Sequence, residues 1–182
     1  MIGNAIAGFT GTGVAASTSS YESIATATGT GASGTITFSS IPATYKHLQI
    51  RTNAGDGAGN LIYIRLNSDS GSNYAYHWIR GNGTAAAASG SATQTEMSFA
   101  GYALGVSSAM GVSITDIADY ASTSKNKTIR TIFGYETNAA GQIYLSSGLW
   151  QSTSAITSIS LIDNGAANFS TASTFALYGI KG

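Results

Sequence analysis

The side chains that could carry acid–base chemistry are few and widely spaced along this sequence. The chain contains 8 acidic residues and 2 histidines, and an acid in a Gly-rich turn, such as Asp56, is expected to bond its own backbone. Asp116 and Asp119 are three residues apart, so on a strand their carboxylates would point to opposite faces. His47 and His77 lie in separate strand-like runs. We therefore expect no enzyme, although a Ser-His-Asp triad needs no fixed spacing and stays open as an alternative.

Cofactor and metal motifs are also weak. The absence of cysteine excludes disulfides, zinc–thiolate sites and thiol nucleophiles. Residues 67–73 alternate oxygen-bearing side chains around Gly71, as the start of a calcium loop does, but Trp78 stands where the distal Glu would be. A hairpin turn explains the same residues, and calcium remains the alternative. The Gly-rich segments do not precede helices, so no phosphate-binding loop is predicted. We expect no cofactor and no metal.

The composition narrows the classes of partner. Only 9% of the residues are charged, and 8 basic residues balance 8 acidic ones. A nucleic-acid-binding protein would show a basic excess, because counterion release drives that association. A neutral, charge-poor surface instead favours a protein that is partly covered in an assembly. No run approaches the roughly 18 apolar residues that a membrane helix requires, so we expect neither nucleic acid nor membrane as a partner.

The elements that must position these residues are predicted to be strands. Short runs rich in β-formers alternate with Gly, Asn and Ser turns and show no amphipathic helix. The predicted strands lie at 21–28, 35–38, 47–51, 61–66, 74–80, 111–120, 127–135, 141–150, 156–162 and 174–180. Residues 81–94 are predicted to form a long loop. About ten antiparallel strands in one chain favour a jelly-roll-like β-sandwich over residues 21–182, because that topology leaves few exposed edges.

Residues 1–20 differ from the rest, because they carry no charge and consist almost entirely of small residues. They contain too much Gly for a stable helix, and they space Ile2, Ile6, Phe9 and Val14 among Gly, Ala, Ser and Thr. We predict an extended arm that docks through these four apolar residues on a capsid or on a neighbouring subunit. A frayed terminus is the alternative.

An aromatic alternation marks the strand predicted at 74–80. Tyr74, Tyr76 and Trp78 would share one face of this strand. Such a face could bind a sugar or another subunit, and it is also what the packed core of a sandwich produces. Both interpretations stay open at this point.

Several long stretches resemble a group of small, Ser/Gly-rich virion proteins of tailed bacteriophages. The stretch "LSSGLWQSTSAITSISL" at 145–161 and the last eight residues, "FALYGIKG", resemble the C-terminal half of these proteins. Residues 19–51, 65–77 and 114–135 resemble other parts of them, so the resemblance covers most of 19–182.

The resemblance implies a non-enzymatic β-domain on a virus particle. We expect a capsid decoration (cement) protein, made in the cytoplasm of the bacterial host and bound to the outer surface of the shell. Its partners would be the major capsid protein and other copies of itself, with a homotrimer expected at threefold positions. The alternative is the receptor- or glycan-binding head of a tail fibre or another virion appendage.

Overall fold

The computed structural model describes residues 19–105, 108–138 and 140–182, and the regular elements within them are all strands. They are β1 (Tyr21–Thr28), β2 (Thr35–Phe38), β3 (His47–Ala54), β4 (Asn60–Leu66), β5 (Tyr74–Gly81), β6 (Ala86–Gln94), β7 (Met97–Ala103), β8 (Gly111–Ile117), β9 (Lys127–Glu136), β10 (Gly141–Trp150), β11 (Ile159–Asp163) and β12 (Thr174–Ile180). The predicted arm anchors Ile2, Ile6, Phe9 and Val14 lie outside the described residues. The described part contains no helix able to span a membrane.

The twelve strands form two antiparallel sheets packed as a sandwich, which confirms the predicted all-β fold. The larger sheet has the order β1-β12-β3-β8-β9-β10-β5-β6, and the smaller has the order β2-β11-β4-β7. We call the side of the larger sheet that faces the smaller one its inner face, and the opposite side its outer face.

The strand pairing is that of a jelly roll. The early strands pair with late ones as in a long folded hairpin: β1 with β12, β2 with β11, β3 with β8 and β4 with β7. Further pairing of β3 with β12 and of β4 with β11 rolls this hairpin into two sheets. The remaining strands β9, β10, β5 and β6 extend the larger sheet beyond the edge of the smaller one.

Two strands lie where the sequence predicts none. The predicted loop at 81–94 is wrong over most of its length, because Ala86–Gln94 forms the edge strand β6, paired with β5. Met97–Ala103 forms β7, paired with β4. Ala, Ser and Gly have low intrinsic strand propensity, so the hydrogen-bonding edge of β5 decides the conformation of β6.

The core lies between the two sheets. Both sheets contribute large, fully buried aliphatic side chains: Leu48, Ile50, Ile62, Ile64, Leu66, Met97 and Ile117. Burial of each one contributes about 1.5–3 kcal/mol to stability. Hydroxyl groups are buried among them. The Oγ1 of Thr52 lies 2.6 Å from the Oγ of Ser113, and the Oγ1 of Thr115 lies 2.8 Å from that of Thr131. These cross-strand pairs satisfy polar groups that would otherwise destabilise the interior.

Candidate functional site

The acidic residues considered for catalysis have separate structural contacts. Asp116 lies on the outer face of β8, where its Oδ1 accepts a hydrogen bond from Gln49 Nε2 at 2.8 Å. Asp119 lies in the turn after β8 and pairs with Lys46 at 3.0 Å and with Lys125 at 2.9 Å. Hydrogen bonds from Lys125 and Lys46 lower the pKa of Asp119 to about 2. These contacts account for both carboxylates without a catalytic partner.

The two histidines lie in different parts of the larger sheet. His47 Nδ1 accepts the backbone N–H of Asp119 at 3.0 Å, whereas the ring of His77 lies against Gly90 of β6. Three strands separate β3 from β5, a distance of about 19 Å at ordinary strand spacing. Within the described residues, no group of three or more acidic or histidine side chains is placed to hold a metal ion.

The turn that resembles a calcium loop uses its carboxylate internally. Asp69 accepts hydrogen bonds from the Gly71 backbone at 2.8 Å, from Asn73 Nδ2 at 2.9 Å and from Trp150 Nε1 at 2.7 Å. The bond from Trp150, followed by that from Asn73, lowers the pKa of Asp69. The carboxylate therefore joins this turn to the end of β10.

Tyr74, Tyr76 and Trp78 all lie on the inner face of β5. Tyr74 is fully buried and stacks on Trp150, with ring centroids 6.4 Å apart, and burial raises its pKa to about 12. Tyr76 and Trp78 are half-buried, and their ring centroids lie 5.3 Å and 5.0 Å from that of Phe99. Tyr74 therefore belongs to the core, and only the other two rings retain some exposure.

Phe99 has an unusual backbone. Its φ is 62°, in the left-handed region that bulky residues rarely adopt. It lies at a bulge, because Ile62 pairs with Gly101 whereas Ile64 pairs with Met97, so β7 uses more residues than β4 over this stretch. The bulge was not predicted, since no Gly or Asn stands at position 99 to signal a left-handed residue.

A set of exposed aliphatic side chains lies on the outer face of the larger sheet. Ile114 of β8 is directly opposite Ile132 of β9, which is opposite Leu145 of β10, which is opposite Ile79 of β5. A parallel row begins at Val112 and continues through Gly134, Ile143 and Gly81. We call the six large residues of these rows the apolar face: Ile79, Val112, Ile114, Ile132, Ile143 and Leu145.

A polar row borders the apolar face along the same four strands. Its members also lie directly opposite one another: Asp116, Arg130, Ser147 and His77. A shallow groove of about 620 Å³ crosses Ile79, Ile132 and Leu145, and a second one of about 550 Å³ continues toward the polar row. The outer face therefore has an uncharged centre crossed by shallow grooves and a margin that carries charged residues.

The orientation of β8 explains how aliphatic residues come to be exposed there. Gly111 and Ser113 face inward, whereas Val112 and Ile114 face outward, the reverse of the usual arrangement in a sandwich. A Cβ at Gly111 would lie 1.9 Å from the carbonyl oxygen of Tyr102, so a larger inward residue would displace β7. The alternation in the sequence predicts a strand but does not reveal which of its faces is buried.

A buried carboxyl group, that of Asp163, lies at one end of the sandwich. Asp163 is only 4% exposed, and its Oδ1 accepts hydrogen bonds from Asn60 Nδ2, Gly165 N and Ala167 N. Its Oδ2 is buried without a partner. Desolvation raises the pKa of Asp163 to about 6, and the negative charge of Asp56 adds to this rise.

Two features of the described residues invite a functional explanation. One is the apolar face, and the other is the strained backbone at Phe99, whose ring contacts Tyr76 and Trp78. Known proteins offer no direct guide to either of them. The chain matches no protein-family model, no curated protein sequence and no solved structure.

Proposed function

We propose that this chain is a non-enzymatic structural protein of a tailed-bacteriophage virion, a capsid decoration protein that binds the outer shell and stabilises it. The observation that carries the proposal is the apolar face, which exposes six aliphatic side chains in a neutral chain with only 9% charged residues. A contiguous apolar patch of a few hundred Å² is often a functional contact surface. Such a surface suits a protein whose working state is an assembly.

The jelly roll and the resemblance to phage virion proteins support the same proposal. Jelly rolls are common in viral capsid and lectin domains, although a fold alone does not define a function. Asp69, Asp116, Asp119 and His47 have the structural contacts described above. The partners under this proposal are the major capsid protein and other copies of this chain.

Stabilisation of the shell would be thermodynamic. A protein that binds the assembled shell better than its free subunits shifts the equilibrium toward the assembled state by mass action. Many symmetric copies multiply a modest contact energy, because each attached copy raises the effective concentration of its neighbours. Neither effect requires a catalytic residue.

Deletion of residues 2–14 should abolish binding to phage heads while leaving the sandwich folded. The reason is that the proposed shell contacts Ile2, Ile6, Phe9 and Val14 would be lost, whereas the described core begins after them. Binding is measured by co-sedimentation with heads that lack the protein, and folding is measured by thermal unfolding.

A matched pair of full-length variants separates the apolar contacts from chain length. Replacing Ile6 and Phe9 by Ser should weaken sedimentation with heads, whereas replacing Thr10 and Thr12 by Ser should not. Undiminished binding of the deletion variant would refute the role of the arm. No saturable binding of the intact chain to heads would refute the decoration function itself.

A second candidate function, glycan or receptor binding, is favoured by the contact at Phe99. Strained residues often cluster at binding sites, and half-buried aromatic rings such as Tyr76 and Trp78 can stack on sugars. Sedimentation with intact host cells tests this function. Binding to cells but not to heads, lost in Trp78→Ala, would assign the protein to a tail appendage.

A further inference from the structure

The apolar face has the features of a surface that another protein covers. Its six side chains are between 41% and 59% exposed, and they come from four adjacent strands in register. On β8, Val112 and Ile114 point outward, whereas the small residues Gly111 and Ser113 point inward. A solvated strand would gain nothing from Val112 and Ile114, since polar β-formers such as Thr suit an exposed sheet face equally well.

We propose that the apolar face is the surface on which a second copy of this chain packs. Two sheets that stack face to face bury their side chains in a layer about 10 Å thick. The larger sheet already forms one such layer on its inner face, and a second copy would form another on its outer face.

The exposed area fits this occupant. Six aliphatic side chains that are each about half exposed offer on the order of 500 Å² of apolar surface. A stable protein pair buries about 800 Å² per partner, of which roughly three-fifths is apolar. The apolar face therefore supplies about the apolar area that one such contact needs, and the polar row can supply its rim.

The charges also fit a second copy. The chain has a formal net charge of zero, so two copies do not repel each other. At the margin, Asp116 is directly opposite Arg130. Arg130 forms no ion pair within the described residues. When the same patch meets itself, each copy offers one acid and one base to the other.

The test measures the mass of the intact chain in solution by light scattering and sedimentation over a range of concentrations. We expect a species of at least twice the 18.5 kDa monomer. Leu145→Asp should raise the dissociation constant by at least about 100-fold, because a carboxylate would be buried without a partner in each copy. Ser147→Asp is the matched control, on the same strand and face but in the polar row, and it should change the dissociation constant by less than about 10-fold.

A cross-linking measurement covers the case in which Leu145→Asp does not fold. The chain has no cysteine, so Ile132→Cys introduces a single thiol on the apolar face. Oxidation should link two copies of this variant much faster than two copies of Thr37→Cys, whose thiol lies on the exposed side of the smaller sheet. Equal rates of cross-linking would overturn the proposal.

Two further results would also overturn it. One is a wild-type chain that stays monomeric at all concentrations, and the other is an oligomer that Leu145→Asp leaves intact. An oligomer that Leu145→Asp leaves intact is expected if two copies pair through the open edge of β6 instead. The proposal does not depend on the virion role, because a chain that associates through this face but fails to bind heads would refute only the decoration function.

Discussion

Lys127→Met should lower the free energy of unfolding by about 3 kcal/mol or more, a large effect for one side chain. Lys127 is fully buried, and burial lowers its pKa. Its Nζ donates hydrogen bonds to three backbone carbonyls, those of Ser122 at 2.7 Å, Lys125 at 2.8 Å and Thr153 at 3.2 Å. The ammonium group thereby joins the β8–β9 turn to the segment that follows β10.

The expected loss follows from the acceptors that would remain. Met fills a similar volume but has no donor, so three carbonyl oxygens would lose a charged hydrogen bond together. Replacing both partners of a buried polar contact can be neutral, whereas removing only one partner leaves the other unsatisfied. The backbone carbonyls cannot be replaced, and the cost therefore falls on the folded state.

Urea unfolding of wild type, Lys127→Met and Lys125→Met measures this effect. Lys125 is the matched control, because it lies in the same turn but its side chain is 64% exposed and pairs with Asp119 at the surface. Its replacement should change the stability by no more than about 0.5–1 kcal/mol. A loss below about 1 kcal/mol for Lys127→Met would show that water satisfies the three carbonyls.

Asp163→Asn should stabilise the protein at pH 8 by on the order of 2 kcal/mol and should flatten its pH dependence. In the wild type, the raised pKa of Asp163 means that between pH 3.8 and about pH 6 the folded state holds a proton that the unfolded state has released. That contribution to stability is fully present below the usual pKa near 3.8 and is lost as the pH rises through about 6. Above that pH the charged carboxylate of Asp163 remains in a buried site.

The Asn variant mimics the protonated form at every pH. Its amide oxygen can accept the hydrogen bonds now made to Oδ1 of Asp163, and its uncharged Nδ2 would take the position of the unpartnered Oδ2. The stability gained over wild type should therefore be large at pH 8 and small at pH 4.5.

Thermal unfolding of both proteins between pH 4.5 and pH 8 measures this difference in stability. The contributions of the other titrating groups to the pH dependence cancel, because both proteins contain them. Asp116→Asn, which removes one negative charge at an exposed position on the outer face, serves as the control for the change in net charge. A stability difference between Asp163→Asn and wild type that does not vary with pH would contradict the explanation from the raised pKa of Asp163.

Local patterns in the sequence are sufficient to predict the class of fold. Alternating residues, as at His47–Ala54 and Lys127–Glu136, reflect the two faces of a strand, and the turns between strands use Gly, Asn and Asp for local backbone reasons. The edge strand Ala86–Gln94 could not be predicted in this way, because its conformation depends on pairing with β5 rather than on its own residues.

The sequence by itself therefore determined that the chain is an all-β sandwich with a neutral, charge-poor surface. Only the tertiary structure decided which side of each strand is buried, because this depends on how closely a second sheet approaches. It placed Ile114 outside and Tyr74 inside although both lie on alternating strands. It also brought Asn60 to Asp163 and the carbonyl of Thr153 to Lys127, since such contacts join segments far apart in the chain that no local pattern relates.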